Sequence, residues 1–408
     1  MTPNDFAEPG SLLLAALVPL TFLLGAALVS RRAPFRAARV ASGVGAALAG
    51  LAVFLRALGG RTPAPAELPS TLEKWLELDV VTGAMLVLVT SLGLVVVRYS
   101  RTFLAREAGL ARYERALLLV LACVSLLVPS KHLAVMVPAW FGTSAALHQL
   151  LVFYASRTQA LIAAHKKFLL SRLADTCFVV SLVLLHSETG TLQLDELAGF
   201  VQSGAALSPF FHVATVLIAL GVLLKSAQLP FHGWMTQVME APTPVSALLH
   251  AGVVNIGGFV MIRLAWLMAH APFAQAVLLA VGLSTALVAS LVMLTRVSIK
   301  VALAWSTIAQ MGFMLVECAL GAWHLALLHL LAHSAYKAHA FLSAGDTVHA
   351  WRRSALVALP RASARALVAG TALAMAVVAT FLTALWALRP DSVTASLLAL
   401  GVVLALSV

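Results

Sequence analysis

About thirteen apolar runs, each long enough to cross a bilayer as a helix, dictate what this chain can fold into. They fall at residues 11–30, 37–57, 79–98, 114–130, 132–155, 162–186, 208–229, 244–268, 273–295, 299–319, 322–346, 366–388 and 391–408. A helix needs about 20 apolar residues to span the hydrocarbon layer. Inside lipid, backbone N–H and C=O groups must bond within the protein, which leaves helices as the solution for runs of this length. Composition agrees: 61% of the 408 residues are hydrophobic and 11% charged, whereas soluble chains are about half apolar and a quarter charged. The expected fold class is an all-α polytopic membrane protein, with the bilayer as its first partner.

The connections are short and alternate in charge. Arg31, Arg32 and Arg36 follow the first run; Arg98, Arg101, Arg106 and Arg112 follow the third. Arg157, Lys166 and Lys167 precede the sixth, and Arg352, Arg353 and Arg361 follow the eleventh. The stretch 187–207 has Glu188, Asp195 and Glu196 and no base. Basic turns on one side predict that side to be cytoplasmic and the N-terminus to lie outside, in a multi-pass inner-membrane protein. The formal charge of +11 therefore reflects membrane topology, and no nucleic-acid partner is expected. The start, "MTPNDFAEPG", lacks the basic region of a cleavable signal peptide. Cys123, Cys177 and Cys318 stand singly in apolar runs, with no disulfide or metal spacing. No dinucleotide fingerprint or phosphate-binding loop is present, so redox chemistry on this chain is not expected.

Ionisable residues inside a membrane are costly and mark pathways or internal pairs. Here they are few: Arg172 and Asp175, Lys225, His250 with Asn255, Lys300, Glu317, and the eleventh run's His324, His329, His333, Lys337 and His339. His329, His333 and Lys337 are spaced i, i+4, i+8. On a helix they drift by only about 80° over about 12 Å, which makes a polar stripe on one face. Three titratable groups in line suit proton transfer. The bland alternative is an inward face of hydrogen-bonded histidines. A zinc site on His329 and His333 lacks the acid of an HExxH motif, because Leu330, Leu331 and Ala332 stand between them.

The segment "KSAQLPFHGWMTQVMEAPTPVSALLHAG", residues 225–252, predicts a broken helix. Pro230 lacks an N–H and clashes with the carbonyl four residues back, at Ser226. Free carbonyls beside Lys225 would form a polar site of the kind discontinuous transporter helices provide. A short amphipathic piece, "FHGWMTQVMEA", would follow. Pro242 and Pro244 punctuate the restart, with Thr243 expected to cap the next helix and Pro244 to fill its first position.

These motifs, with "KVALAWSTIAQMGFM" (300–314), "LLHLLAHSAYKAHAFLSAG" (327–345) and "KKFLLSRLAD" (166–175), resemble the antiporter-like subunits of respiratory complex I and of Mrp-type cation/proton antiporters. The resemblance runs over about residues 80–350. It implies two inverted five-helix repeats, each with a discontinuous helix. The corresponding division is 1–113 for three N-terminal helices, 114–268 for the first repeat and 269–408 for the second, without the usual C-terminal extension. It also implies an ion-translocating role for Lys225 as central lysine and His250 as its relay neighbour. His329, His333 and Lys337 become the connecting relay, Lys300 opens the following helix, and Arg172 and Asp175 match the sixth helix's basic–acidic pair.

Departures from the family pattern sharpen the reading. The family's glutamate after a fifth-helix tryptophan is replaced: Trp140 is followed by Phe141. Lys225 therefore needs another partner, with Asp175 the nearest by helix assignment and Glu240 and Glu317 further candidate acids. The run 366–388 holds no Lys, Asp or Glu. "PFHGWMTQVMEAPTPVSALLHAGVVNIGGFVMIRL" and "WFGTSAALHQLLVFY" resemble one branch most, the membrane subunit of the DAB inorganic-carbon accumulation complex. That resemblance implies a large soluble zinc-binding subunit, related to carbonic anhydrases, on the cytoplasmic face. Protons or Na+ would drive its hydration of CO2 to bicarbonate. No catalysis and no cofactor are then expected in this chain, zinc belonging to the partner. The turns at 98–114 and 346–366 are the expected docking surfaces. The alternatives are a subunit of complex I or of an Mrp antiporter, and a docking scaffold that conducts no ions.

Overall fold

A computed structural model describes residues 4–58, 71–203 and 207–345, together with residue 372. The helices are α1 (Asn4–Ala27), α2 (Arg36–Leu58), α3 (Thr71–Trp75), α4 (Val80–Phe103), α5 (Leu110–Leu127), α6 (Leu133–Leu151), α7 (Thr158–Thr189) and α8 (Leu194–Gln202). After these come α9 (Pro209–Lys225), α10 (Gly233–Gln237), α11 (Thr243–Leu248), α12 (Ile256–Arg263), α13 (Ala265–Met268), α14 (Pro272–Met293), α15 (Ile299–Ala319) and α16 (Trp323–Ser343). The first eleven expected spans coincide with these elements. The runs 366–388 and 391–408, the second discontinuous helix and the 346–366 turn lie outside the described residues.

Seven helical stretches are long and apolar enough to cross a membrane on length and composition alone: Gly10–Ala27, Arg36–Leu58, Val80–Phe103, Thr158–Thr189, Thr243–Arg263, Pro272–Met293 and Ile299–Ala319. Large apolar side chains face outward, among them Leu169, Leu173, Val183, Leu287 and Leu291. Glu114, Lys167, Asp175, Lys225, Glu317 and Lys337 are buried. Burial of ions beneath an apolar exterior inverts the soluble pattern and is what lipid as solvent demands.

Polar contacts at the two ends fix how the helices line up. At one end Lys131 meets Asp195 at 2.8 Å, and Arg263 meets Glu77 at 2.7 Å while donating to the Ser130 carbonyl. At the other, Arg157 meets Glu240 at 3.3 Å and Lys166 donates to Gln237. The second set sits with the basic turns.

Close helix approach positions the core. A Cβ on Gly312 would lie 2.7 Å from the Gly282 carbonyl oxygen, so these two residues let α14 and α15 touch backbone to backbone. A Cβ on Gly257 would collide with the Ser226 hydroxyl, which sets α12 directly against the end of α9. Small residues at such crossings are how membrane helices gain packing contact.

Glu114 of α5 is fully buried and caps α2 from a neighbouring helix. Its carboxylate accepts from the Phe35 N–H at 2.8 Å and the Ala38 N–H at 2.9 Å. Phe35 immediately precedes α2 and Ala38 lies in its first turn, where N–H groups have no intrahelical acceptor and the dipole favours an anion. Phe35 itself has a left-handed backbone, φ 60. Glu114→Ala is expected to cost about 3 kcal/mol, from two charge-assisted bonds and their stranded donors. Thermal unfolding of the detergent-solubilised protein would read this as a lowered midpoint, against little change for an exposed control such as Glu107→Ala.

Candidate functional site

Lys225 is the last residue of α9 and is buried. The chain then turns sharply: Ser226 caps the helix and Ala227 takes a left-handed backbone, φ 53. A non-glycine residue held there carries strain that the surroundings must fix. Gln228 does so, its N–H reaching the Leu223 carbonyl and its side-chain amide donating to the Ser226 carbonyl at 2.9 Å. The Ser226 oxygen expected to stand free beside Lys225 is thus occupied, by a side chain two residues on. The Leu229 N–H donates to Thr285 on α14, and the Leu229–Pro230 bond is cis.

The short piece that follows is α10 and a 3-10 turn, Val238–Glu240. The restart differs in detail from expectation. Pro242, not Thr243, is the cap residue of α11, and Pro244 fits within its first turn. Thr243 is already helical, and its hydroxyl instead accepts from the Lys300 ammonium at 3.0 Å. The next helix is not continuous. Leu249–Val253 is a π-helical turn that carries His250, and such turns often mark functional positions.

Lys225 Nζ lies 2.7 Å from one oxygen of Asp175, and Arg172 holds the other at 2.9 Å. The ammonium also lies over the Trp140 ring, 4.7 Å from its centroid. Phe141 takes a different part: the Arg172 guanidinium stacks 3.8 Å from its ring centroid, with Phe168 on the other contact. The position where the family pattern has an acid therefore offers Arg172 a π face. Neither of the other candidate acids meets Lys225. Glu240 is at the basic end with Arg157, both half exposed. Glu317, near the far end of α15, meets His329 Nδ1 at 3.0 Å.

The stripe on α16 exists and points inward. His329, His333 and Lys337 are buried, while His324 and His339 face outward. The His329 and His333 rings are 6.0 Å apart, and Lys337 donates to the Ser306 hydroxyl at 2.7 Å. His250 stacks on Phe341, with centroids 4.4 Å apart, because the π turn packs against α16. Both ring nitrogens of His250 and of His333 are buried without a hydrogen-bond partner among the described residues. Asn255 ties the same interface, donating to Ser334 at 2.7 Å. The residues thus gather in two places: Arg172–Asp175–Lys225 between α7 and α9, and Glu317–His329–His333–Lys337 with His250 between α15, α16 and the π turn. Lys300 stands apart, at the basic end. Among the described residues, no three His, Cys, Asp or Glu side chains form a metal-holding group.

Lys167 is the residue that sequence reasoning misplaced. It was grouped with Lys166 as part of a basic turn, yet α7 begins at Thr158 and only Lys166 is exposed. Lys167 is buried and donates to the Ser144 carbonyl at 3.0 Å. The signal was present: Lys167, Ser171 and Asp175 repeat the i, i+4, i+8 spacing of the α16 stripe, and all three are buried.

Fold and site together define a polytopic membrane protein with a buried line of titratable groups, the antiporter-like class. Residues 130–405 match the transmembrane family of NADH:quinone oxidoreductase and Mrp antiporters, and the chain belongs to that family. It is 44% identical over 336 residues to the "Probable inorganic carbon transporter subunit DabB" of Hydrogenovibrio crunogenus, covering 81% of this chain and 63% of that one. It is 46% identical over 269 residues to the corresponding subunit DabB2 of Halothiobacillus neapolitanus, covering 65% and 49%. Similarity to "NADH-ubiquinone oxidoreductase chain 5" of Metridium senile is 34% over 278 residues, covering 67% and 46%. The chain thus spans between about half and two thirds of the length of these inorganic-carbon relatives. A chain of the archaeal membrane-bound sulfane sulfur reductase shares the fold, with TM-score 0.69 at 19% identity over 83% of this chain and 70% of that one.

Among the described residues, Asp175 is the acid that meets both Arg172 and Lys225, so Asp175→Asn strands both. Breaking a buried pair this way costs about 3–5 kcal/mol. The double variant Asp175→Asn/Lys225→Met is expected to melt above the single Asp175→Asn variant, since it removes one stranded charge. Equal or lower midpoints for the double variant would contradict the pairing.

Proposed function

We propose that this chain is the cation-conducting membrane subunit of an inorganic-carbon uptake system. It lets protons run down their gradient through Lys225 and the α16 stripe. The carrying observation is the buried Lys225–Asp175 contact at the break of α9, in a chain whose similar relatives are named as inorganic carbon transporter subunits. A lysine held by one carboxylate that is also shared with Arg172 is a two-position device. When Asp175 leans to Lys225 it favours the ammonium; when it leans to Arg172 the lysine can release its proton. His250, His333 and His329 supply titratable groups in sequence, with Glu317 and Lys337 at either end of the α16 line.

The reading extends to the assembly. The subunit sits in the inner membrane with its N-terminus outside, and the basic turns face the cytoplasm. There a large soluble, zinc-binding, carbonic-anhydrase-like partner carries out the hydration of CO2 to bicarbonate, so this chain is a transport subunit and not itself an enzyme. A second reading, a proton-translocating subunit of NADH:quinone oxidoreductase or of an Mrp Na+/H+ antiporter, has the relatives at 34% in its favour. The higher identity to the inorganic-carbon subunits favours the first.

Co-expression of the chain with its soluble partner is expected to restore growth in ambient air to cells lacking carbonic anhydrase. Lys225→Ala is expected to abolish that rescue while the two subunits still co-purify. Full rescue by Lys225→Ala would overturn the relay, and Na+/H+ exchange by the purified assembly without carbon-dependent rescue would favour the second reading.

A further inference from the structure

Around Lys225 the charges do not balance. Lys167 and Asp175 lie on the same face of α7, with Arg172 between them in sequence; Lys225 comes from α9, and α6 contributes no acid. Lys167 is 4% exposed and Lys225 8%. Three cations thus face a single carboxylate, Asp175, which is engaged by Arg172 and Lys225. Among the described residues, Lys167 pairs with no carboxylate; its hydrogen bond goes to the Ser144 carbonyl oxygen at 3.0 Å. A buried ammonium without a counter-ion of its own is costly.

Ser144 joins the two lysines. Its carbonyl accepts from Lys167, and its hydroxyl stands 3.5 Å from Lys225 Nζ. One turn further along α6 is His148, whose Nδ1 is buried without a hydrogen-bond partner among the described residues. The His148 ring meets the His165 ring edge-on, with centroids 5.5 Å apart. His165 is exposed, beside Lys166 at the basic end of the bundle. A line of titratable groups therefore leads from Lys225 to that face.

We infer that Lys167 and Lys225 share one proton across Ser144, and that Lys167, His148 and His165 form the branch joining Lys225 to the basic face of the protein. In the transfer, one proton leaves the Lys225 ammonium and one is taken up by the Lys167 amine, with Ser144 holding the two nitrogens by its hydroxyl and its carbonyl. Lys225 ends neutral, Lys167 charged and Ser144 unchanged. Lys167 then protonates His148, which passes a proton on to His165 and so to water. The inference rests on the proposed proton-conducting role of Lys225.

The test is proton flux into proteoliposomes holding the complete complex, read with a pH-sensitive dye under an imposed gradient. Both Lys167→Met, which cannot bind a proton, and Lys167→Arg, which cannot release one, are expected to lower flux at least about a hundredfold, the smaller end of what a lost proton-transfer group costs. Lys167→His is expected to keep measurable flux with its pH profile displaced to lower pH. Wild-type flux in Lys167→Met would overturn the branch. So would wild-type flux in Lys167→Arg, since a fixed cation would then suffice. If the Lys167 variants do not assemble, Ser144→Ala and His148→Phe decide: wild-type flux in both overturns the branch. Lys225→Ala, run alongside, separates the two levels. Flux lost there but kept in Lys167→Met removes only this branch; flux kept in Lys225→Ala removes the conduction reading itself.

Discussion

The carboxylate of Asp175 is the contact on which the site depends. Its two oxygens hold Arg172 on its own helix and Lys225 on the next, at 2.9 and 2.7 Å. Without it, α7 and α9 would bring two cations together under an apolar surface. The contact also explains why α9 ends where it does. Lys225 reaches Asp175 from the last helical turn, and the chain must then reverse within a few residues. Ala227 absorbs the reversal in a left-handed conformation, while Gln228 satisfies the carbonyl of Ser226 that the broken helix leaves over. The strained residue and the buried ion are two sides of one constraint.

The second polar group follows the same logic with weaker groups. Glu317 is fully buried; one carboxylate oxygen meets His329 one helix away, and the other has no hydrogen-bond partner among the described residues. Lys337 finds a serine hydroxyl on α15 rather than an acid. Between them His333 and His250 carry buried ring nitrogens with no protein partner among the described residues. Imidazoles tolerate that position better than lysine or glutamate because they can be neutral near physiological pH. The π turn matters here, since it sets His250 against α16, where its ring stacks on Phe341.

Much of this was legible in the sequence, for identifiable reasons. Hydrophobic length located eleven runs that are helical in the described residues, the eighth of them broken into several pieces, because the bilayer sets a single yardstick. The α16 stripe was legible because helical periodicity puts His329, His333 and Lys337 on one face whatever surrounds them. Partners were harder. That Lys225 meets Asp175, and that Glu317 belongs to His329, depends on which helices are neighbours and at what height, which no single helix encodes. The cap of α11 was displaced by one residue because Thr243 has a better use, receiving Lys300 from α15. Lys167 was hidden by its neighbour: it lies inside the run read from residue 162, yet beside Lys166 and close to other bases the two lysines look like one solvated pair. In the folded chain they point about 100° apart, one to Gln237 and one into the core.

Phe141 shows how one substitution redistributes the rest. An acid at this position would give the region a second negative charge, and Arg172 and Lys225 could each have their own. A phenylalanine keeps Arg172 in place by stacking, at 3.8 Å, but it adds no negative charge. Asp175 must then serve both cations, and it can satisfy them only in competition. The charge of Lys225 is therefore balanced by the shared Asp175 and not by a partner of its own, beside the neighbouring cations Arg172 and Lys167.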